Sequence, residues 1–251
     1  MKVVFLNSRL SQLGGADRWL IDLVSLLRQR GIDTFVVAGH DDGSLEPHER
    51  KSLGPTAIFR GLDRGRPGRP ARPRRHEALL RLLDEVKPDV VNINDVVEPS
   101  AIAAVAGEFP TVFTVQDHRF FCPGPGRMLP DGTACENAPG QACLSCFSDS
   151  GYGRYMLELT LERLEALKRA LHFVVLSRYM ARQLSIAGVP SEKTSVVPPG
   201  ISVPDPEIPP PTESGRTGRG QTLHLFAARL CRHKGIDTAC EAAEMLPEGH
   251  R

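Results

Sequence analysis

The chain has 251 residues, 31 Lys plus Arg against 30 Asp plus Glu, a net charge of +1, and 41% hydrophobic residues. The near-neutral balance argues against bulk electrostatic binding to nucleic acid, and the apolar share excludes wholesale disorder. No apolar run approaches the ~20 residues that span a bilayer, and Met1–Asn7 turns polar too soon for a signal peptide, so a cytoplasmic location with unbridged cysteines is expected.

At ~150 residues per domain the length suits one to two domains. Lys2–Asn7 reads as a buried strand, Ser8–Gly15 as a polar loop, and Asp17–Arg30 as a helix with Leu20, Leu23, Val24 and Leu27 at helical spacing, closed by Gly31. Thr34–Ala38 is a second strand, and strand–helix–strand opens a doubly wound parallel sheet. The alternation continues with a weak strand at Thr56–Arg60, a helix at Arg75–Val86 stopped by Pro88, and a strand at Asp89–Asn94. Next come a helix at Pro99–Gly107 and a strand at Thr111–Val115. Gln116–Gly151 is a long irregular segment. A helix is predicted over Arg154–Leu171, with Leu157, Leu161, Leu164 and Leu171 on its apolar face. Phe173–Leu176 is a strand, Arg178–Ala187 a helix and Thr194–Val197 a strand. Residues 203–221, rich in Pro, Gly, Ser and Thr, read as a linker. Beyond it come a strand at Leu223–Ala227, a basic turn at Arg229–Gly235 and a helix at Ile236–Leu246. The expected fold class is therefore α/β, a Rossmann-like doubly wound sheet over 1–202, with 222–251 the start of a second domain too short for its own core.

Five features carry polar chemistry. Gly14-Gly15 between the first strand and helix suits close approach of an anion to a helix N-terminus, or a tight turn with Asp17 as a cap. Arg229 and Lys234 follow a strand, where open α/β sheets bind ligands, and suit a diphosphate clamp or a solvated basic loop. Asp117 and His118, also beyond a strand, suit proton transfer or polar substrate contacts, or a capped loop with a surface histidine. Cys122, Cys135, Cys143 and Cys146 are spaced C-x12-C-x7-C-x2-C, a pattern for a structural zinc that would staple the long loop, or for four reduced thiols. Cys231 and Cys240 read as lone thiols. Between Arg60 and Arg75, seven Arg against Asp63 give a local charge of +6, suited to anionic headgroups and peripheral membrane contact, or to plain solvation.

The order of these motifs resembles family-4 glycosyltransferases of the GT-B fold. The opening strand and Gly14-Gly15-Ala-Asp loop, the strand Lys87-Pro-Asp-Val-Val-Asn-Ile-Asn94, and the segments Phe173-Val-Val-Leu-Ser177-Arg-Tyr-Met and Val197-Pro-Pro-Gly200-Ile fall in the family's sequence. Ala227-Ala-Arg229-Leu through Lys234-Gly235 is similar to its "GRLxxxKG" motif, which opens the donor domain. The resemblance implies transfer of a sugar from a nucleotide-sugar donor to a glycan or lipid-linked acceptor, with retention at the anomeric carbon and no cofactor or metal required for catalysis. It implies that Gly14 and Gly15 line the cleft floor and that Arg229 and Lys234 neutralise the leaving diphosphate. Relatives with a cysteine-bearing loop often read "HDxxFxCP"; here Gln116 stands where that His falls, with Asp117, Cys122 and Pro123 kept and His118 two residues on. The family's Glu-x7-Glu motif is not matched by Glu241 and Glu244 within the last helix. The expectation is an acceptor-side domain with a truncated donor domain, inactive alone and peripheral on the inner membrane face. The alternatives are a half-enzyme complemented in trans by a separate chain, or a non-catalytic zinc-stabilised binding module. A dinucleotide oxidoreductase is disfavoured because the first turn lacks Gly-x-Gly-x-x-Gly.

Overall fold

Side chains alternate along a strand, and β1 (Lys2–Asn7) uses both of its faces. Val4 and Leu6 join one apolar cluster, while Val3 and Phe5 join another. A strand apolar on both sides needs helices above and below, and this is what makes the layer order inevitable. A computed structural model describes residues 1–62, 76–200, 224–228 and 234–247. Contacts divide the chain into one unit, Met1–Ile201, and a second, Ser202–Arg251.

In the first unit, β1 is followed by α1 (Gly15–Gln29), β2 (Asp33–Ala38), α2 (Pro47–Leu53), β3 (Thr56–Ile58), α3 (Glu77–Val86) and β4 (Val90–Ile93). Then come α4 (Pro99–Glu108), β5 (Thr111–Val115), α5 (Ser150–Leu167), β6 (His172–Val175), α6 (Arg178–Ile186) and β7 (Thr194–Val196). The seven strands form one sheet in the order β3-β2-β1-β4-β5-β6-β7, and every pairing is parallel. The expected Rossmann-like, doubly wound α/β fold is therefore what the chain adopts. Winding reverses between β1 and β4, which places the topological switch point, and the crevice such sheets offer a ligand, at the carboxyl ends of those two strands.

Helices α1 and α2 cover one face through Leu20, Ile21, Val24 and Leu53. The other face is covered by Leu79 and Leu83 of α3, Ile102 and Val105 of α4, Leu164 and Leu167 of α5, and Met180 and Leu184 of α6.

Helix α2 falls where no element is predicted: its sequence Pro-His-Glu-Arg-Lys-Ser-Leu has almost no apolar stripe, and a capping box between Glu46 and Glu49, with Pro47 at the first helical position, starts it. Four expectations are corrected. Helix α5 starts at Ser150, where Asp149 accepts hydrogen bonds from the Gly151 and Tyr152 amides, and ends at Leu167. Leu157 and Leu164 are buried, but Leu161 is 42% and Leu171 63% exposed, so the buried stripe runs through Thr160, Arg163 and Leu167 instead. Residues His224–Ala227 form no strand, and Asp17 does not cap α1. Among the described residues no helix is long and apolar enough to cross a membrane. In the second unit the described regular element is α7 (Ile236–Glu244), with Gly235 at its N-cap in the left-handed region at φ 78°.

Candidate functional site

Parallel strands deliver the residues just after β1, β4 and β5 to the same pole of the sheet. A ladder of amides crosses it: Asn94 Nδ2 donates to Asn7 Oδ1 at 2.9 Å, and Gln116 Nε2 donates to Asn94 Oδ1 at 2.6 Å. Gln116 is thus held by the strand-end ladder. One residue further along each segment lies a charged layer. Ser8 Oγ donates to Asp95 Oδ2 at 2.8 Å, Arg119 Nη2 donates to Asp95 Oδ1, and Arg119 Nε donates to Asp117 Oδ2 at 2.7 Å. The Arg119 amide donates to Asp117 Oδ1 at 2.9 Å, so Asp117 caps the 3-10 turn His118–Phe120 while it pairs with that turn's arginine. Burial pushes the Asp95 carboxyl above its ordinary value, against the opposing pull of Arg119 and the Ser8 hydroxyl.

The amino end of α1 opens beside this layer. Gly14, its N-cap, is extended at φ −158°, and no side chain caps the helix. A Cβ on Gly15 would meet nothing within 4 Å, and one on Gly14 would meet only Asp17 Oδ2, at 3.6 Å. Neither glycine is required by the fold; together they leave the first-turn amides open and approachable. Asp17 is buried in that turn and is forked by Arg9, with Nη2 to Oδ2 at 2.8 Å and Nε to Oδ1 at 3.2 Å. Asp95 also acts electrostatically on Arg9, which ties α1's first turn to the strand-end carboxylates. An open helix N-terminus over a neutralised carboxylate layer is an arrangement suited to a phosphate group.

His118 is not in this layer. Its ring lies edge-on to Phe121 and Tyr179, with centroids 5.6 and 5.9 Å away, and its buried Nε2 has no hydrogen-bond partner among the described residues. Burial pushes its pKa below the ordinary value, Asp117 partly offsetting this. Asp117 therefore belongs to the pole and His118 to the packing of the loop behind it.

The loop's four predicted cysteines all line one cavity of about 10 Å³, with Phe121, Arg127 and Asn137 among its other walls. Burial pushes the Cys146 thiol up, and Cys143, Cys122 and Cys135 add to the effect. Among the described residues no three His, Cys, Asp or Glu side chains already stand in metal-holding geometry. Arg229, Cys231, the linker 203–221 and the basic segment 63–75 lie outside the described residues, while Arg60 precedes that segment. Lys234 is exposed in the second unit, one residue before the N-cap of α7, and Cys240 is exposed on that helix.

Sequence reasoning missed Arg9, Asp95, Arg119 and Arg163. Arg163, only 6% exposed on α5, donates to the Val97 carbonyl at 2.7 Å and to the Arg119 carbonyl at 3.4 Å, clamping the two segments that leave β4 and β5. Burial, with repulsion from Arg119 next, lowers its pKa to about 10. The available signal for Asp95 was its position two residues past β4; nothing local marks Arg163 as more than a solvated helix position.

A Rossmann-like unit with an open helix N-terminus at its switch point places the chain among the doubly wound α/β proteins, whose ligand crevice lies at that point. Within that class, the profile of Glycosyltransferase Family 4 matches residues 13–203, and the chain belongs to that family. Solved structures share the fold. Anabaena HepE, crystallised with UDP, is 17% identical and superposes with a TM-score of 0.62, the match covering 99% of this chain and 59% of HepE. WaaG, a glycosyltransferase involved in lipopolysaccharide biosynthesis, is 17% identical with a TM-score of 0.57, covering 99% of this chain and 61% of WaaG. The apo lipopolysaccharide outer core galactosyltransferase WaaB is 13% identical with a TM-score of 0.51, covering 96% and 57%. The chain thus spans about three fifths of the length of these structures. No curated protein sequence matches it.

Proposed function

We propose that this chain is the acceptor-side part of a retaining, nucleotide-sugar-dependent glycosyltransferase acting on a glycan or lipid-linked acceptor. The observation that carries this reading is the uncapped amino end of α1, open at Gly15, beside the Asp95–Arg119–Asp117 layer at the switch point. HepE has been crystallised with UDP, with UDP and glucose, and with UDP-glucose, which supports a nucleoside-diphosphate sugar as the donor here.

In this reading the α1 amides and the helix dipole hold donor phosphate or an acceptor oxygen near it. The acceptor hydroxyl oxygen forms a bond to the anomeric carbon on the face from which the diphosphate leaves. The leaving oxygen takes the bonding pair and then the acceptor's proton. Arg229 and Lys234 supply the cations that stabilise the developing diphosphate charge, so no catalytic metal or other cofactor is needed. Asp117, fixed by Arg119 and partly exposed, orients the acceptor hydroxyl. The basic stretch from Arg60 to Arg75 holds the protein at an anionic membrane surface on the cytoplasmic side, near a lipid-linked acceptor. The 251-residue polypeptide by itself is expected to turn over no donor, because it spans about three fifths of the length of its solved relatives.

The test is donor turnover with a panel of UDP-, GDP- and ADP-sugars, read by diphosphate release and by the anomeric signal of the product. A polypeptide that joins this chain to a complete donor domain is expected to give a retained product, lost on Arg229→Ala or Lys234→Ala; the 251-residue chain is expected to give none. An inverted product, unchanged turnover in those variants, or robust turnover by the 251-residue chain overturns the reading.

A further inference from the structure

The segment between β5 and α5 contains a compact substructure whose role sugar transfer leaves unexplained. Cys122 begins a Pro-Gly-Pro-Gly turn that ends at Arg127, in the left-handed region at φ 68°. A short antiparallel bridge between Met128 and Ala134 then folds the chain back, and the Cys135 amide donates to the Arg127 carbonyl at 2.8 Å. Cys143 and Cys146 sit on the 3-10 turn Gln141–Cys146. Two turns of this kind, each presenting thiols toward one small space, form the frame on which tetrahedral thiolate sites are built.

Three observations at this space point to a ligand. First, all four cysteines line the same cavity, and its volume of about 10 Å³ is roughly that of one small sphere, too little for a chain of waters. Second, Arg127 is 5% exposed and lines that cavity, and its Nε and Nη2 have no acceptor among the described residues; only Nη1 is used, donating to the Asn137 carbonyl at 2.5 Å. A buried guanidinium with two idle donors is costly unless an anion faces it. Third, the Arg127 amide already donates to Cys122 Sγ at 3.4 Å, the kind of N–H···S bond that supports a thiolate ligand.

We infer that Cys122, Cys135, Cys143 and Cys146 bind one structural Zn²⁺, with Arg127 as the buried counter-charge. Four thiolates around a divalent cation leave a net charge of −2, which the idle face of Arg127 offsets. Each thiol gives its proton to solvent as its sulfur binds, and no oxidation state changes. A tetrahedral site with Zn–S of about 2.3 Å needs the sulfurs about 3.8 Å apart, so binding draws the four side chains inward by rotation around the cavity they now line. Gly124 stands next to Cys146, where a Cβ would come within 3.3 Å of the Cys146 Cβ, so the Pro-Gly-Pro-Gly turn leaves room for that closure. The metal would lock the segment that leaves β5 through Asp117 onto α5, where Phe147 packs edge-on against Tyr152 at 5.8 Å, and onto α6, where Arg182 pairs with Glu136 at 2.9 Å.

The test uses the full chain and does not depend on transferase activity. Reduced protein from zinc-replete medium is analysed for metal, and metal-free protein is titrated with Co²⁺ and followed by visible absorption. About one zinc per chain and the intense absorption of tetrahedral cobalt thiolate are expected. The Cys143→Ser/Cys146→Ser double variant loses both, whereas Cys240→Ser keeps both. Arg127→Ala retains the stoichiometry but binds about 10- to 100-fold more weakly in chelator competition. The inference is overturned by metal-free protein that gives no tetrahedral cobalt spectrum, by disulfide-linked loop cysteines in freshly isolated protein, or by equal metal loss in Cys240→Ser.

Discussion

His118 is a sharp place to separate packing from proton chemistry. Replacing it with Ala removes two edge-on ring contacts, to Phe121 and Tyr179. Such contacts contribute about 0.5–1.5 kcal/mol each, so about 1–3 kcal/mol is lost at pH 8, where the ring is neutral. For a unit of this size that lowers Tm by about 2–4 °C per kcal/mol. The loss then changes with pH in a definite direction. Burial holds the folded-state pKa of His118 below its ordinary value of 6.5, so both states are neutral above that value. As pH falls through 6.5, the unfolded chain takes up a proton that the folded chain resists, and wild-type stability declines by at most about 1.4 kcal/mol per pH unit from this group. The decline continues until pH passes the lower, folded-state pKa. His118→Ala lacks this loss, so its deficit relative to wild type shrinks between pH 8 and pH 5. Urea unfolding of both proteins at the two pH values measures the difference, with other titrating groups cancelling. A deficit that widens in acid would show that His118 gains a charge on folding, and the packing role drawn from its buried, unpartnered Nε2 would be wrong.

Three further outcomes follow from the pole. Arg163→Ala strips the donor from the Val97 and Arg119 carbonyls, at about 1–3 kcal/mol for the buried Val97 acceptor left unsatisfied and less for the part-buried Arg119 one; the unfolding temperature should fall by several degrees, and hydrogen exchange should rise in both segments it joins. Gly15→Ala meets open space at the first residue of α1, so stability should hold or rise, by less than the ~1 kcal/mol that separates the two residues in a helix interior, while phosphate or UDP binding weakens; a marked drop in Tm would contradict the geometry at α1. For Asp95 the raised carboxyl pKa means the folded state disfavours the charge, so its contribution is favourable at pH below the ordinary carboxylate value of 3.8 and is lost as pH rises through the folded-state pKa. Asp95→Asn should therefore gain stability relative to wild type between pH 4 and pH 7, as read by the difference in unfolding midpoint, and a relative loss over that range would refute the dominance of burial.

Much of the fold could be read along the chain because its parallel strands are buried on both faces. Runs such as Lys2–Asn7 and Thr111–Val115 announce themselves by apolar content. Helix α2 could not be read that way: its order comes from the Glu46–Glu49 capping box, a start signal without a stripe behind it. The site was legible only in part. Asp117 was found from its place after β5, and the glycines from their place after β1. Their partners were not, because Ser8 meets Asp95 across 87 residues and Arg119 meets Asp95 across 24, through a strand order that adjacent residues do not encode. Arg163 illustrates the opposite error. Periodicity assigned the buried stripe of α5 to Leu161 and Leu171, whereas the helix turns a charged side chain inward to satisfy two carbonyls. Cysteine spacing did place four thiols in one loop, but the buried Arg127 that faces their cavity carries no signal in that spacing.

The central claim is that the carboxyl pole of the sheet, with the open end of α1, receives the phosphate of a nucleotide sugar. Titrating UDP-glucose into ¹⁵N-labelled chain and following amide shifts tests it directly. The account expects saturable shifts at Gly14, Gly15 and Ala16, with smaller ones at Asp95 and Arg119, all saturating at higher ligand concentration in Gly15→Ala. Shifts that saturate elsewhere, or amides at these positions that stay fixed throughout the titration, would contradict it.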